Sequence, residues 1–223
     1  MGQEASKTKK LWGEAELAIL KGSGIDIGCG NDPITPSARC FDVADGDANE
    51  ITRYVHEQFD YVFSAHCLEH MHDPIKAIKE WWQLVSPGGH LIVIVPDEDL
   101  YEQGYWPSIM NEDHKSTFTV SKHKSWSPRS YNMVDLVHVL PFATLLNIQL
   151  QDLGYNRRWL NHGCYSHPAA KRGLRLIRRI RYFLGLVGIR SELTGLKNFF
   201  RLPVDQTAWQ AMAQIQMIIK KDK

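Results

Sequence analysis

The 223-residue sequence predicts an α/β fold: a mostly parallel sheet closed by a C-terminal antiparallel hairpin, with a basic helical insertion before the last strand. Three observations carry this. Two apolar runs of strand length, Phe59–Ala65 (FDYVFSA) and His90–Val95 (HLIVIV), flank a single helical pattern, as buried parallel strands joined by a helical crossover do. The run Gly24-Ile25-Asp26-Ile27-Gly28-Cys29-Gly30 carries an acid in a strand and then a Gly-x-Gly turn, where the backbone can bend sharply and approach a ligand. Near the end, Asn147–Leu153 and Met212–Ile219 both alternate apolar and polar residues, and the roughly sixty residues between them hold the insertion.

In chain order, Leu11–Lys21 reads as a short helix leading to a first strand, Ser23–Ile27. Pro33 and Pro36 leave little room for a helix before the second strand, Ala38–Val43. Phe59–Ala65 is a central strand. Asp73-Pro74 then opens a helix, with Asp at the N-cap and Pro in the first turn, and Ile75, Ile78, Trp82 and Val85 recur at helical spacing. Ser86-Pro87-Gly88-Gly89 ends it, and His90–Val95 is the next strand. Asp97–Tyr131 is rich in aromatics and poor in aliphatics, a long loop where a substrate lid would lie. Tyr131–Leu140 is helical. The whole reads as a single domain, residues 1–223, with a cofactor-binding half at 20–96, a lid at 97–131, the insertion at 157–205 and a closing strand at 212–220.

A formal net charge of +1 excludes a generic polyanion binder. The four cysteines, Cys29, Cys40, Cys67 and Cys164, show no CxxC spacing and read as reduced thiols of a cytosolic protein. Met1–Lys10 is lysine-rich without an apolar stretch behind it, so no signal peptide is expected. No run approaches the ~18 apolar residues of a membrane span. The charge is unevenly placed: Arg157–Arg201 carries eleven Lys/Arg and one acid, Glu192, which leaves −9 for the remainder. Within it, Lys171–Arg190 forms an amphipathic helix with Leu174, Leu176, Ile177, Ile180, Phe183, Leu184 and Val187 over about half its surface. Its apolar face can dock on the domain or on a second subunit in a homodimer, leaving solvated arginines. Alternatively the helix rests on an anionic membrane at the inner face of the cell. No nucleic-acid module is present, so no nucleic-acid partner is expected.

The dinucleotide fingerprint Gly-x-Gly-x-x-Gly is broken, because Pro33 stands in the third glycine position. Without a helix N-terminus a pyrophosphate loses its anchor, which disfavours NAD or FAD. S-adenosylmethionine has no phosphates. It needs close backbone approach, an acid for the ribose hydroxyls and a slot for adenine. Asp26-Ile27-Gly28-Cys29-Gly30, Cys40-Phe41-Asp42-Val43, Gly46-Asp47-Ala48, Phe59 through Pro74 and Ser86-Pro87-Gly88-Gly89-His90 together resemble the class I S-adenosylmethionine-dependent methyltransferases, which are Rossmann-like. The resemblance implies that Asp26, Gly28, Cys29 and Gly30 form the first cofactor motif. It also implies that Asp42 takes the ribose, that Asp47 and Ala48 contact adenine, and that Ala65 and His66 flank the methionine part. Two departures stand out: the first crossover helix is cut down, and the third strand is vestigial or missing.

His66-Cys67-Leu68-Glu69-His70 matches the H-x-x-E-H pattern of zinc peptidases. His66, however, directly follows a buried strand, in the strand-to-helix turn, and no third ligand is evident, so no metal is expected. For an alcohol acceptor a general base helps, and histidine suits neutral pH. The candidates are His66 and His114, with His123 weaker, while Asp113 can orient a histidine. The lid aromatics Tyr101, Tyr105, Trp106, Phe118, Trp126 and Tyr131 line a site for a sugar or planar ring, or else form a satellite core. The overall pattern is similar to bacterial methyltransferases associated with surface-polysaccharide assembly, which implies O-methylation of a sugar or glycan intermediate. N- or C-methylation of a small metabolite, and a non-catalytic protein that keeps the fold, are the alternatives.

Overall fold

The computed structural model describes residues 4–120, 122–160, 168–186, 194–199 and 202–223. Its centre is a six-stranded sheet built from β1 (Gly24–Ile27), β2 (Arg39–Phe41), β3 (Phe59–Ala65), β4 (Val85–Pro96), β7 (Ala143–Gln151) and β8 (Gln214–Lys221), in the order β2-β1-β3-β4-β8-β7. The first four strands pair in parallel, and β8 pairs antiparallel with both β4 and β7. The mostly parallel sheet and its antiparallel closing pair are therefore as the sequence predicts. Strand β2 is one edge of the sheet and β7 the other. Where a third strand would follow, Ala48–Arg53 forms a 3-10 turn.

Continuous apolar runs arise because both faces of the sheet are covered. Leu91, Val93 and Val95 of β4 join the core under α3 (Pro74–Gln83), with Ile78, Trp81 and Leu68. Ile92 and Ile94 face the opposite core, with Tyr61, Phe63, Trp12 and Ala5. Asp73 caps α3 by accepting the N–H groups of Ile75 and Lys76. The buried indole of Trp81 donates to the Ala48 carbonyl at 2.9 Å, tying the helix to the 3-10 turn.

The covering of the second face was not foreseen in full. The helix predicted over Leu11–Lys21 is present in shortened form as α2 (Glu14–Ile19), and a further helix, α1 (Glu4–Lys9), precedes it. The 97–131 segment is not a plain loop. A π-turn at Glu98–Glu102 precedes a two-stranded parallel pair, β5 (Thr117–Thr119) with β6 (Ser130–Asn132). The buried Glu98 carboxylate organises it by accepting from Thr117, Lys122, Ser125 and Ser130. Helix α4 (Met133–His138) leads into β7, which begins four residues before the predicted Asn147 because the strand continues past a bulge at Leu145/Asn147. In the insertion lie α5 (Pro168–Leu186) and α6 (Thr194–Phe199); the predicted end of the amphipathic helix at Arg190, and Cys164, fall outside the described residues. No helix among the described residues is long and apolar enough to cross a membrane.

Candidate active site

At the carboxyl end of β1 the chain turns through Gly28, with φ +79°, and Gly30, with φ +52°. Gly28 donates to the Phe41 carbonyl at 2.8 Å, and a Cβ there would stand 2.9 Å from the Cys67 Cβ. Only glycine fits. Asp26, buried in β1, accepts the Ile34 N–H at 2.7 Å and so pins the loop after the turn. Burial raises its pKa to about 7, with Asp32 and Asp42 adding to the rise against the Ile34 bond. Asp42, just past β2, accepts from Gly30 N–H at 2.9 Å and Val43 N–H at 2.7 Å. Each of its oxygens keeps a lone pair, as bidentate capture of a ribose diol requires.

The turn opens into a cavity of about 450 Å³. Gly28, Cys29, Gly30, Ala65 and His66 line one side, all residues expected to hold a cofactor. Helix α1 closes over it through Glu4 and Ala5, held there by the Ser6 N–H bond to Asp32 at 2.8 Å. Asp42, Asp47 and Ala48 are not among its lining residues: Asp42 accepts from Gly30 and Val43 beside it, Asp47 caps the 3-10 turn by accepting from Asn49, and the Ala48 carbonyl serves Trp81. The glycine cradle, Asp42 bonded to its edge at Gly30, and a volume inside the usual ~300–1,000 Å³ of cofactor clefts fit S-adenosylmethionine.

The far end of the cavity is polar. His66 follows β3 with φ +53°, in the turn rather than in a helix, and Leu68–His70 is a single 3-10 turn. The Glu69 side chain is 1% exposed, and neither of its carboxylate oxygens has a hydrogen-bond partner. Its neighbours are His66 Nδ1 at 3.5 Å, His70 Nε2 at 3.9 Å and His114 Nε2 at 4.0 Å. Burial alone would lift the Glu69 pKa, but the three imidazoles outweigh it and hold it below the ordinary range. Burial likewise opposes the His66 imidazolium, yet Glu69, Glu4 and Gln214 together raise its pKa.

Of the three residues assigned to catalysis, His66 and His114 do converge here. The lid brings His114 in, because the Lys115 and Ser116 N–H groups both bond to the Glu69 carbonyl. Asp113 orients a histidine as expected, with Oδ2 2.9 Å from His70 Nδ1. The expectation that H-x-x-E-H lacks a third ligand-type partner is corrected: His114 completes a group with Glu69 and His70, their ligand atoms all within 4.8 Å of one another. His114 Nδ1 in turn lies 2.7 Å from the buried Glu102 carboxylate. Neither Glu102 nor Gln214, whose Oε1 meets His66 Nε2 at 3.0 Å, carries a sequence motif; only the fold reveals them. Of the six lid aromatics, Tyr101 alone lines the cavity. Tyr105 and Phe118 are buried, and Phe118 with Tyr131 packs in the main core, so these two serve neither a satellite core nor a stacking platform.

A mostly parallel sheet with a glycine turn at the carboxyl end of its first strand, opening into a cavity, is the arrangement of a class I methyltransferase. A domain-family profile described as "Methyltransferase domain" matches residues 5–132, more than half of the chain. The chain belongs to that family; it is an enzyme, and S-adenosylmethionine is its cofactor. Among solved structures, a protein of Bacillus halodurans C-125 assigned as a methyltransferase superposes with a TM-score of 0.50 at 12% identity, each chain covered in full (100%). A protein of Galdieria sulphuraria assigned as a sarcosine dimethylglycine methyltransferase gives 0.48 at 13% identity, covering 98% of this chain and 85% of that one. The Haemonchus contortus phosphoethanolamine N-methyltransferase 2, solved with S-adenosyl-L-methionine, gives 0.45 at 14%, covering 94% and 52%. A comparison with curated proteins finds no match.

Proposed function

We propose that the protein methylates a hydroxyl group, of a sugar or glycan intermediate. The observation that supports this is the group at the acceptor end: one buried carboxylate, Glu69, with His66, His70 and His114 around it. A hydroxyl is a poor nucleophile until it loses its proton, and a site for it needs groups that bind the oxygen and take or repel that proton. Bound against Gly28 and Gly30, S-adenosylmethionine supplies an electrophilic methyl carbon on a cationic sulfur. The chain's part is positioning, worth much of the rate in an in-line displacement. Glu69 and the histidines hold the acceptor oxygen, Tyr101 and Asn111 line the entry side, and α1 excludes water from above. Polar lining of this kind suits a polyol.

Incubation with S-adenosylmethionine and a panel of nucleotide sugars and glycans, followed by mass spectrometry, tests the reading. The expected result is a gain of about 14 mass units on a hydroxyl-bearing acceptor. Turnover confined to amines would overturn it.

We also propose that α5 rests on anionic lipid, as a lipid-linked acceptor would favour. Gly173 and Ile177 are buried and Ile180 and Leu184 half-buried, and these share one narrow face. Leu176, Tyr182, Phe183 and Leu186 are exposed, interleaved with exposed Arg175 and Arg179. A basic helix face carrying aromatic and leucyl side chains matches a lipid headgroup boundary.

A further inference from the structure

We infer that Glu69, His70 and His114 bind a divalent transition-metal cation beside the methyl-transfer site. The hydrogen-bond pattern carries the argument. His70 Nδ1 faces the Asp113 carboxylate at 2.9 Å, and His114 Nδ1 faces the Glu102 carboxylate at 2.7 Å. Those partners accept, so each Nδ1 donates to its carboxylate, and in the neutral imidazole each Nε2 presents a lone pair. Both Nε2 atoms point at Glu69, at 3.9 and 4.0 Å, too far to be hydrogen bonds to it.

On the other side, Gln214 Nε2 donates to Thr8 Oγ1 and Gln151 Oε1, which leaves Gln214 Oε1 as the acceptor of His66 Nε2–H. In the neutral ring the His66 Nδ1 lone pair also faces Glu69, at 3.5 Å; only as an imidazolium does His66 turn a proton to it. With the imidazoles neutral, acceptors surround a carboxylate that is almost wholly buried and has no hydrogen-bond partner on either oxygen, so its charge is balanced either by imidazolium or by a bound cation. Such a carboxylate is costly without a compensating cation. Carboxylates behind the imidazoles are also what orients metal-binding histidines elsewhere.

The spacing agrees. Metal–nitrogen bonds of about 2.0–2.1 Å put tetrahedral ligand atoms about 3.3 Å apart. The three ligand atoms lie within 4.8 Å of one another, so closure needs inward shifts of about 1 Å. Two imidazoles and one carboxylate leave open positions and suit Mn²⁺, Fe²⁺, Co²⁺, Ni²⁺ or Zn²⁺ better than Mg²⁺ or Ca²⁺.

The role of the ion, though not its binding, rests on the hydroxyl-acceptor reading. An acceptor hydroxyl coordinated at an open position becomes more acidic and releases its proton to water. Its oxygen then forms the new O–C bond as the C–S bond breaks, and that electron pair stays on sulfur as a neutral thioether.

Co²⁺ titration of the chelator-treated protein tests the site, since its visible absorption reports an ordered nitrogen-rich site independently of turnover. One Co²⁺ per chain with micromolar or tighter affinity is expected, weakened at least about tenfold in Glu69→Gln and in His114→Asn. S-adenosylmethionine affinity, measured in parallel, should be kept in both variants and certifies their fold. Absence of Co²⁺ and Zn²⁺ binding to the wild-type protein, or binding that Glu69→Gln leaves intact, overturns the proposal. Cation binding with the expected losses upholds the site even where no glycan in the panel is methylated; that result removes only the hydroxyl-acceptor assignment.

Discussion

Asp26 sits in the strand that makes the cofactor turn, and its carboxyl group is almost sealed from water. With its folded pKa near 7 against an ordinary 3.8, the folded protein holds a proton that the unfolded chain releases. The stability this provides is complete below about pH 3.8 and is lost as pH rises to about 7. An uncharged amide escapes that loss. Asp26→Asn is therefore expected to raise the apo-protein's melting temperature at about pH 8, by about 1 kcal/mol or more in stability, and to change it little near pH 4. Thermal denaturation across that range checks the slope; a pH-independent difference would contradict it. Gly28 fails in the opposite way. With φ +79° and a Cβ 2.9 Å from Cys67, Gly28→Ala strains the backbone and crowds the cradle at once. A loss of roughly 1–3 kcal/mol in stability is expected. Calorimetry should also show weaker S-adenosylmethionine binding. Both residues stand out in the sequence because a strand ending in an acid and two glycines has few physical uses. Glu69 and His114 stand far apart in the chain, and only the lid's bonds to the Glu69 carbonyl join them.

Elements differ in how far their own residues specify them. Strands β3 and β4 and helix α3 were legible because continuous apolar runs, an Asp-Pro start and helical spacing are local signals. Helix α1 was not: its six residues are mostly polar, and it is held by distant contacts such as Ser6 to Asp32 and Thr8 to Gln214. The lid was misread as loop because Glu98, a buried charge, orders it rather than any periodicity. Strand β8 shows the same dependence on partners. Gln214 and Gln216 point into a buried core, where Gln214 ties Thr8, Gln151 and His66 together while Gln216 accepts from Trp12 and Gln151. Gln214→Leu keeps the bulk but strips three partners. It is expected to cost about 1–3 kcal/mol in denaturant unfolding. Turnover should fall further than stability explains, because His66 loses the acceptor that fixes its ring.

At the scale of the whole molecule, a segment of +10 rides on a body of −9, and the two parts serve different surfaces. Glu4, Asp32 and Glu69 gather around the cavity, where a sulfonium cofactor would meet negative charge. The insertion faces away in chemistry: α5 buries one narrow face at Gly173 and Ile177 and exposes Leu176, Arg179, Phe183 and Leu186. On the lipid proposal, such a face would bind through two additive contributions. Apolar side chains enter the headgroup boundary, and each nearby basic residue adds about 1 kcal/mol on an anionic surface. The electrostatic part must fade with salt, since the screening length falls to about 8 Å at physiological ionic strength. Co-sedimentation with phosphatidylglycerol vesicles at low salt is therefore expected. Phosphatidylcholine vesicles should bind the protein far less, and added salt should release it. Combining Arg179→Glu with Phe183→Ser alters one contribution of each kind and should weaken binding at least about tenfold while S-adenosylmethionine affinity stays unchanged. Equal binding to neutral and anionic vesicles would leave no role for the arginines, and absence of binding to either would assign the exposed face to a protein partner, with a concentration-dependent rise in mass by light scattering as the sign of a second copy.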